Sequence, residues 1–357
     1  MPLATSTEPL PRATLLPTTV VGSHAIPGWL HLAREEAKKG TLGPTDVAEM
    51  YDDATDLAIA DQERAGVDVI ADGEMRRLHF IQGFYRYVSG LTVVPPSRRL
   101  GAVGYDQVPG QDVHERIAAP EGLGIVGDYV YARGRTARPL KATCPGPLTL
   151  TLPARQLGPY ADRVELAFDF AAIINAELKA LVRAGARHVQ LDEPSFSYFD
   201  VPVGTLVDLL NRAVEGVDAK TGLHVCFGNF HGRPRTSRSY RRIFPGLLDA
   251  RVDQFALEFA NREMAEVDLW REIGAERELA MGVVDVKSYY PESAAEVAGR
   301  IRLGLRHVPA ERLVVAPDCG FNHTPRHSCL AKLRAMVEGA RLVRAELTGE
   351  TGASAPR

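Results

Sequence analysis

Short apolar, β-branched runs alternate along the chain with longer stretches in which apolar residues recur every three to four positions. The runs fall at residues 18–23, 67–74, 140–145, 188–193, 223–227, 254–259, 279–286 and 313–318. The amphipathic stretches between them predict helices at 44–64, 159–184, 203–217, 235–248, 264–273, 293–307 and 330–347, with the aromatic-rich segment 80–90 as a further candidate. Eight strands alternating with about eight helices predict an α/β chain of the (β/α)8 TIM-barrel class. A doubly wound open sheet is the alternative with the same alternation.

The alternation lapses between residues 91 and 138, which hold Val93-Val94-Pro95-Pro96, several glycines and the β-like segment 127–132. This predicts an insertion after the second strand, a lid or hairpin. Residues 1–14 and 349–357, rich in Pro, Ala, Ser and Thr, read as flexible tails. A single catalytic barrel over 15–348 remains.

Composition narrows the class. Apolar residues at 45% and charged residues at 24% suit a globular enzyme that folds on its own. Lys and Arg number 42 against 45 Asp and Glu, without a long one-sign run, so the footprint of a nucleic-acid binder is missing. No apolar run approaches the ~18 residues of a membrane span, and the N-terminus lacks the order of a secretory signal, so a cytoplasmic protein is expected. Four cysteines in such a chain do not suggest a disulfide framework.

Reactive side chains collect at the C-terminal ends of the runs, the face on which barrels of this class place their active sites. Ser23 and His24 end the first run, Asp72 and Glu74 the second, Asp192 and Glu193 the fourth. His224 and Cys226 end the fifth, Glu258 the sixth, Asp285 and Lys287 the seventh, Asp318 and Cys319 the eighth. His224 and Cys226 are two apart, so on a strand they point to one side and can approach one ion together. Glu258 and Cys319 would complete a set of one nitrogen, one oxygen and two sulfurs, which suits zinc. For the His-Cys pair alone, a buried cysteine beside a hydrogen-bonded histidine is the competing reading. Cys329, at the start of the last helix, reads as a packing residue; Cys144, before the Pro145-Gly146-Pro147 turn, as a pocket wall rather than a ligand.

Val21-Gly22-Ser23, Asp72-Gly73-Glu74, Gly146-Pro147-Leu148-Thr149, Gln190-Leu191-Asp192-Glu193-Pro194, His224-Val225-Cys226, Leu257-Glu258 and Pro317-Asp318-Cys319-Gly320 occur here in one order. In that order they resemble the catalytic C-terminal barrel of cobalamin-independent methionine synthases, over roughly residues 17–345. The resemblance implies a zinc ion held by His224, Cys226, Glu258 and Cys319, joined by the substrate thiol as thiolate. It also implies that Ser23, Glu74 and Asp192 hold the amino acid part of homocysteine. Zinc-dependent methyl transfer to homocysteine or a similar thiol, a step of methionine biosynthesis, is the expected activity. A small-molecule thiol and a methyl or alkyl donor are the expected partners, a corrinoid protein among the candidate donors.

Three departures bear on the second substrate. The chain has room for one barrel, whereas the full-length enzymes of that family have two, so it resembles their single-barrel relatives. Folate-using members carry a pterin-stacking tryptophan shortly after Gly146-Pro147-Leu148-Thr149; here the tryptophans are Trp29 and Trp270 alone. Trp29 reads as a helix anchor or a pocket wall. Where the family has a histidine thought to act as acid, this chain reads Val283-Val284-Asp285-Val286-Lys287-Ser288. Lys287 would serve as acid, stabilise an alkoxide or bind an acidic group, unless it only bridges to Asp285 or Asp318. His323 and His327 read as loop histidines near the mouth. Arg233, Arg235, Arg238 and Arg241 read as a solvated loop or as contacts to an anionic substrate.

The same residues admit an epoxyalkane:coenzyme M transferase type of thiol alkylation. A zinc lyase or hydrolase is a reading from another class, and a noncatalytic thiol or metal carrier a third.

Overall fold

A computed structural model describes residues 14–96, 109–197, 199–228, 237–273 and 276–349. Six of the predicted runs form one parallel sheet in chain order: Ala142–Pro145, His188–Asp192, Lys220–Val225, Gln254–Leu257, Glu278–Val284 and Leu313–Pro317. Side chains on both faces of these strands are largely buried, which is why they read as near-continuous apolar runs. The first two runs close the ring through single bridges: Thr18 pairs with Val315, Thr19 with Val69, and Ile70 with Leu140. The Thr19 N–H donates to the Val315 carbonyl at 2.8 Å, and the Lys141 N–H to the Ile70 carbonyl at 2.8 Å. Closure in sequential order excludes the doubly wound sheet, whose strand order reverses. Counting residues 18–19 and 69–70 as the first two, the barrel has eight parallel strands.

Outside the ring, helices stand at Pro44–Ala65, Arg163–Arg183, Val203–Val214, Ala294–Gly304 and Arg326–Thr348, as the periodicity predicts. A further helix, Gly28–Lys38, begins beside Trp29. The segment 80–90 holds the 3-10 turn Gln82–Tyr87 and the start of the strand Ser89–Val94.

Three expectations are corrected. The described part of 235–248 forms the 3-10 turns Tyr240–Arg242 and Gly246–Asp249, because Pro245 in its midst has no N–H to donate. Within 264–273 only Leu269–Glu272 is helical. There the Glu266 carboxylate accepts from the Ser239 hydroxyl at 2.6 Å and the Tyr240 N–H at 2.9 Å, and Glu263, Met264 and Glu266 take positive φ. The β-like 127–132 lies in the helix Ile125–Arg133. Its N-terminal amides are capped by the buried Glu177 carboxylate, which accepts from Leu123, Ile125 and Val126 at 2.8–3.2 Å.

Ahead of that helix, Ser89–Val94 and Gly110–Ala118 pair as an antiparallel hairpin, to which Ala154–Gln156 adds in parallel. Residues 97–108 of the expected insertion, and 1–13 and 350–357 of the expected tails, lie outside the described residues. No helix among the described residues is long and apolar enough to cross a membrane.

Candidate active site and metal centre

His224 lies near the end of the fifth strand, Cys226 just beyond it, and Cys319 follows the eighth. Their ligating atoms lie within 4.8 Å of one another. The Cys226 and Cys319 sulfurs stand 3.8 Å apart. Two sulfurs each about 2.3 Å from a tetrahedrally held zinc would be separated by roughly that much. His224 Nδ1 lies 3.1 Å from the Ala256 carbonyl, which fixes the ring proton there and leaves Nε2 with a free lone pair. Nε2 is buried without a hydrogen-bond partner. An orphaned imidazole nitrogen beside two sulfurs is the donor chemistry zinc takes, so the residues fit the ion.

The hydrogen bond with Cys319 holds the Cys226 thiol well below the ordinary range, with His224 and Lys287 helping against burial. Cys319 shifts well above it, because it shares that bond, is buried and faces Cys226 and Glu258. Burial pulls the His224 imidazole down, but the Cys226 thiolate and Asp192 raise it past its ordinary value.

Of the four expected donors, the structure gathers these three. Glu258, just past the sixth strand, has its Oε1 2.5 Å from Lys287 Nζ, while Oε2 accepts from the Phe227 N–H at 3.3 Å. Both side chains are buried, and breaking such a pair leaves an uncompensated charge. Glu258 is thus the partner of Lys287, rather than Asp285 or Asp318. Asp285 accepts from the Lys287 backbone N–H at 2.8 Å. Asp318 accepts from the N–H groups of Phe259, Ala260 and Asn261 at 2.6–2.9 Å, tying the loop after Glu258 to the residue before Cys319. The buried Tyr240 hydroxyl donates to the Val225 carbonyl at 2.9 Å and accepts from the Glu258 N–H at 2.8 Å, clasping the fifth and sixth strand ends.

The first four strands supply the rest of the mouth. Ser23 follows the first; a side chain at Gly320 would collide with its hydroxyl, and its carbonyl accepts from the Phe321 N–H at 2.8 Å. Ser23 is thereby held against the Cys319 loop. Glu74 takes a left-handed φ of 58°, and its Oε1 lies where a Cβ at Gly22 would be. That oxygen accepts from the Thr143 hydroxyl at 2.8 Å and lies 2.9 Å from Arg77 Nη1. The pairing with Arg77 is buried. Asp192 ends the fourth strand in register with His224, and its Oδ1 accepts from Gln190 Nε2 at 2.7 Å. Burial pushes the Asp192 carboxyl up to about 7, with His224 opposing and Glu74 adding.

Cys144 is buried, its thiol pushed well above the ordinary range by burial, and it lies apart from the sulfur pair. Cys329 packs in the core, 3.6 Å from His24 Nδ1, while His24 Nε2 lies 3.1 Å from Asp61. Trp29 is partly exposed at the start of its helix, and Trp270 is buried. His323 and His327 are exposed. Arg238 donates to Asn261 Oδ1 at 2.6 Å and Arg241 pairs with Glu272 at 2.9 Å; Arg233 and Arg235 lie outside the described residues. Lys141, Thr143 and Tyr240 do not stand out in the sequence as site residues, and Gln190 does so only as part of Gln190-Leu191-Asp192. The one signal available was a lysine inside an apolar run.

Residues 16–342 match the family described as cobalamin-independent synthase, catalytic domain. The methionine synthase of Saccharolobus solfataricus is 35% identical over 339 residues, 94% of this chain and 97% of that one. That of Thermococcus kodakarensis is 34% identical over 343 residues, 96% and 97%. The solved B12-independent methionine synthase from Shewanella sp. W3-18-1, in complex with selenomethionine, has a TM-score of 0.80 at 28% identity, covering 94% of this chain and 99% of that chain.

Proposed function

The chain belongs to the cobalamin-independent methionine synthase family, and from that premise we propose that it methylates the thiol of homocysteine at a zinc site held by His224, Cys226 and Cys319. The carrying observation is the buried cluster of one partnerless imidazole nitrogen and two sulfurs at the ends of the fifth and eighth strands. Glu258 is the fourth donor in reserve, joining where its ion pair with Lys287 opens. Zinc held there would lower the acceptor thiol's affinity for its proton, which passes to solvent, and would keep the sulfur nucleophilic without redox chemistry.

The chain's own residues do the rest. Glu74 and Asp192 present carboxylates to the ammonium group of the amino acid, and the Ser23 hydroxyl faces its carboxylate. Together they hold the sulfur in line with the methyl carbon, so the displacement needs little further ordering. Burial lowers the affinity of Lys287 for its proton, but Glu258 and Cys226 more than restore it. Lys287 therefore stays charged and offsets the anionic sulfurs rather than giving up its proton. Asp192, pushed up to about 7, is the group suited to hold or release a proton near neutrality.

The missing pterin-stacking tryptophan leaves a methyl corrinoid alongside methyltetrahydrofolate as donor. Alkylation of a sulfonated thiol by an epoxide would use the same sulfur chemistry, but the buried carboxylates of Glu74 and Asp192 repel a sulfonate. Water activation for hydrolysis is disfavoured by the two protein sulfurs, which blunt the Lewis acidity left for water. The zinc-loaded protein, incubated with homocysteine and in turn methyltetrahydrofolate, methylcobalamin and an epoxide, should yield methionine with a methyl donor by mass spectrometry. A thioether formed only with the epoxide would replace this reading, and none with any methyl donor would sink it.

A further inference from the structure

Behind the acceptor residues lies a buried cation that the chemistry above does not use. Lys141, leading into the third strand, is 1% exposed. Its Nζ donates not to a carboxylate but to the Val20 carbonyl at 2.5 Å and to Gln190 Oε1 at 2.6 Å. An ammonium has only donors, so it decides which end of the Gln190 amide faces it. With the oxygen so placed, Nε2 points the other way and donates to the Val21 carbonyl at 2.8 Å and to Asp192 Oδ1 at 2.7 Å. Turned over, the amide would set its oxygen against the Asp192 carboxylate.

Thr143 is two residues further along the same strand and faces the same side. Its hydroxyl donates to Glu74 at 2.8 Å, and its carbonyl accepts from Arg77. The inward residues of the third strand thus hold all three acceptor-binding residues without belonging to them. Asp192 is held through Gln190, the segment entering Ser23 through the Val20 and Val21 carbonyls, and Glu74 through Thr143.

We propose that Lys141 is the positioning residue of the acceptor pocket. It fixes Gln190, and through it the Asp192 carboxylate and the strand entering Ser23, in the arrangement that receives the ammonium end of a thiol amino acid. The proposal rests on the reading of Asp192 as an acceptor ligand given above. A buried ammonium bonded to carbonyl oxygens is a poor way to fill a core, since desolvation opposes it. Its use is the orientation it imposes. Burial draws Lys141 down to about 7, with Asp192 opposing.

Steady-state kinetics with homocysteine and with 4-mercaptobutanoate, the same thiol lacking the amino group, test this in wild type, Lys141→Met, Asp192→Asn and the double variant. Lys141→Met should raise KM for homocysteine about ten- to a hundredfold, leave KM for 4-mercaptobutanoate within about twofold and keep the zinc content, the range expected of a hydrogen bond to a charged group. In the Asp192→Asn background it should add nothing, because the two act in one chain of contacts. A Lys141→Met protein that keeps the wild-type preference for homocysteine overturns the proposal, as does an equal loss with both thiols. If Asp192→Asn itself leaves the preference intact, the acceptor reading has failed and takes the proposal with it. If Asp192→Asn abolishes the preference while Lys141→Met spares it, the proposal alone fails. Should Lys141→Met not fold, Lys141→Met/Gln190→Met removes both polar ends together and carries the same comparison.

Discussion

The fifth to eighth strands face the mouth with donors left short of partners: a buried imidazole nitrogen with none, and two sulfurs 3.8 Å apart. The first four meet it with hard oxygens that are already hydrogen-bonded, Glu74 to Thr143 and Asp192 to Gln190. In the proposed reaction one half takes the ion and the other the amino acid. Damage to the first should therefore remove the chemistry, and damage to the second should remove recognition while the chemistry persists.

The largest effect is expected at the sulfurs. Cys226→Ser or Cys319→Ser should strip the metal and cut methyl transfer by more than the roughly hundredfold that loss of a merely supporting group costs. Metal analysis and turnover check it together; full zinc occupancy in both variants would break the contrast. Next comes Asp192→Asn, which should raise KM for homocysteine about ten- to a hundredfold with zinc retained. If it instead released zinc, the two halves would not be separable.

The smallest effect concerns stability. Hydrogen bonds from His24 and Arg326 hold the Asp61 carboxyl at about 2 despite its burial, next to the loop that carries Ser23. A folded value below the ordinary one of about 3.9 means stability that is present above pH 4 and lost as pH falls toward 2. Melting temperature should drop across that window in wild type and change less with pH in Asp61→Asn. Equal slopes would deny Asp61 this role.

The sulfur half was the legible one. His224, Cys226 and Cys319 stand out by residue type at strand ends, and a strand's two-residue period puts the first two on one side. Glu258 was legible as a carboxylate on the rim but not as the partner of Lys287. That pairing depends on side chains from adjacent strands meeting inside the mouth. Ser23, Glu74 and Asp192 stand out at strand ends and take their roles from the family resemblance, whereas Lys141 and Thr143 behind them do neither, and Gln190 appears only inside a motif without a role of its own. Their roles are hydrogen bonds within the barrel, which no period or motif spells out. The barrel itself was legible because buried parallel strands read as apolar runs. The segments at 235–248, 264–273 and 127–132 were misread where Pro245, Glu266 and Glu177 overrode the local pattern.

In the proposed reaction the acceptor sulfur joins the donors His224, Cys226 and Cys319. Cobalt(II) put in place of zinc makes this visible, since each bound sulfur adds sulfur-to-metal charge-transfer absorption. Homocysteine added to the cobalt protein should strengthen that absorption, whereas Cys226→Ser, having lost the metal, should show none. A spectrum indifferent to homocysteine would contradict the account.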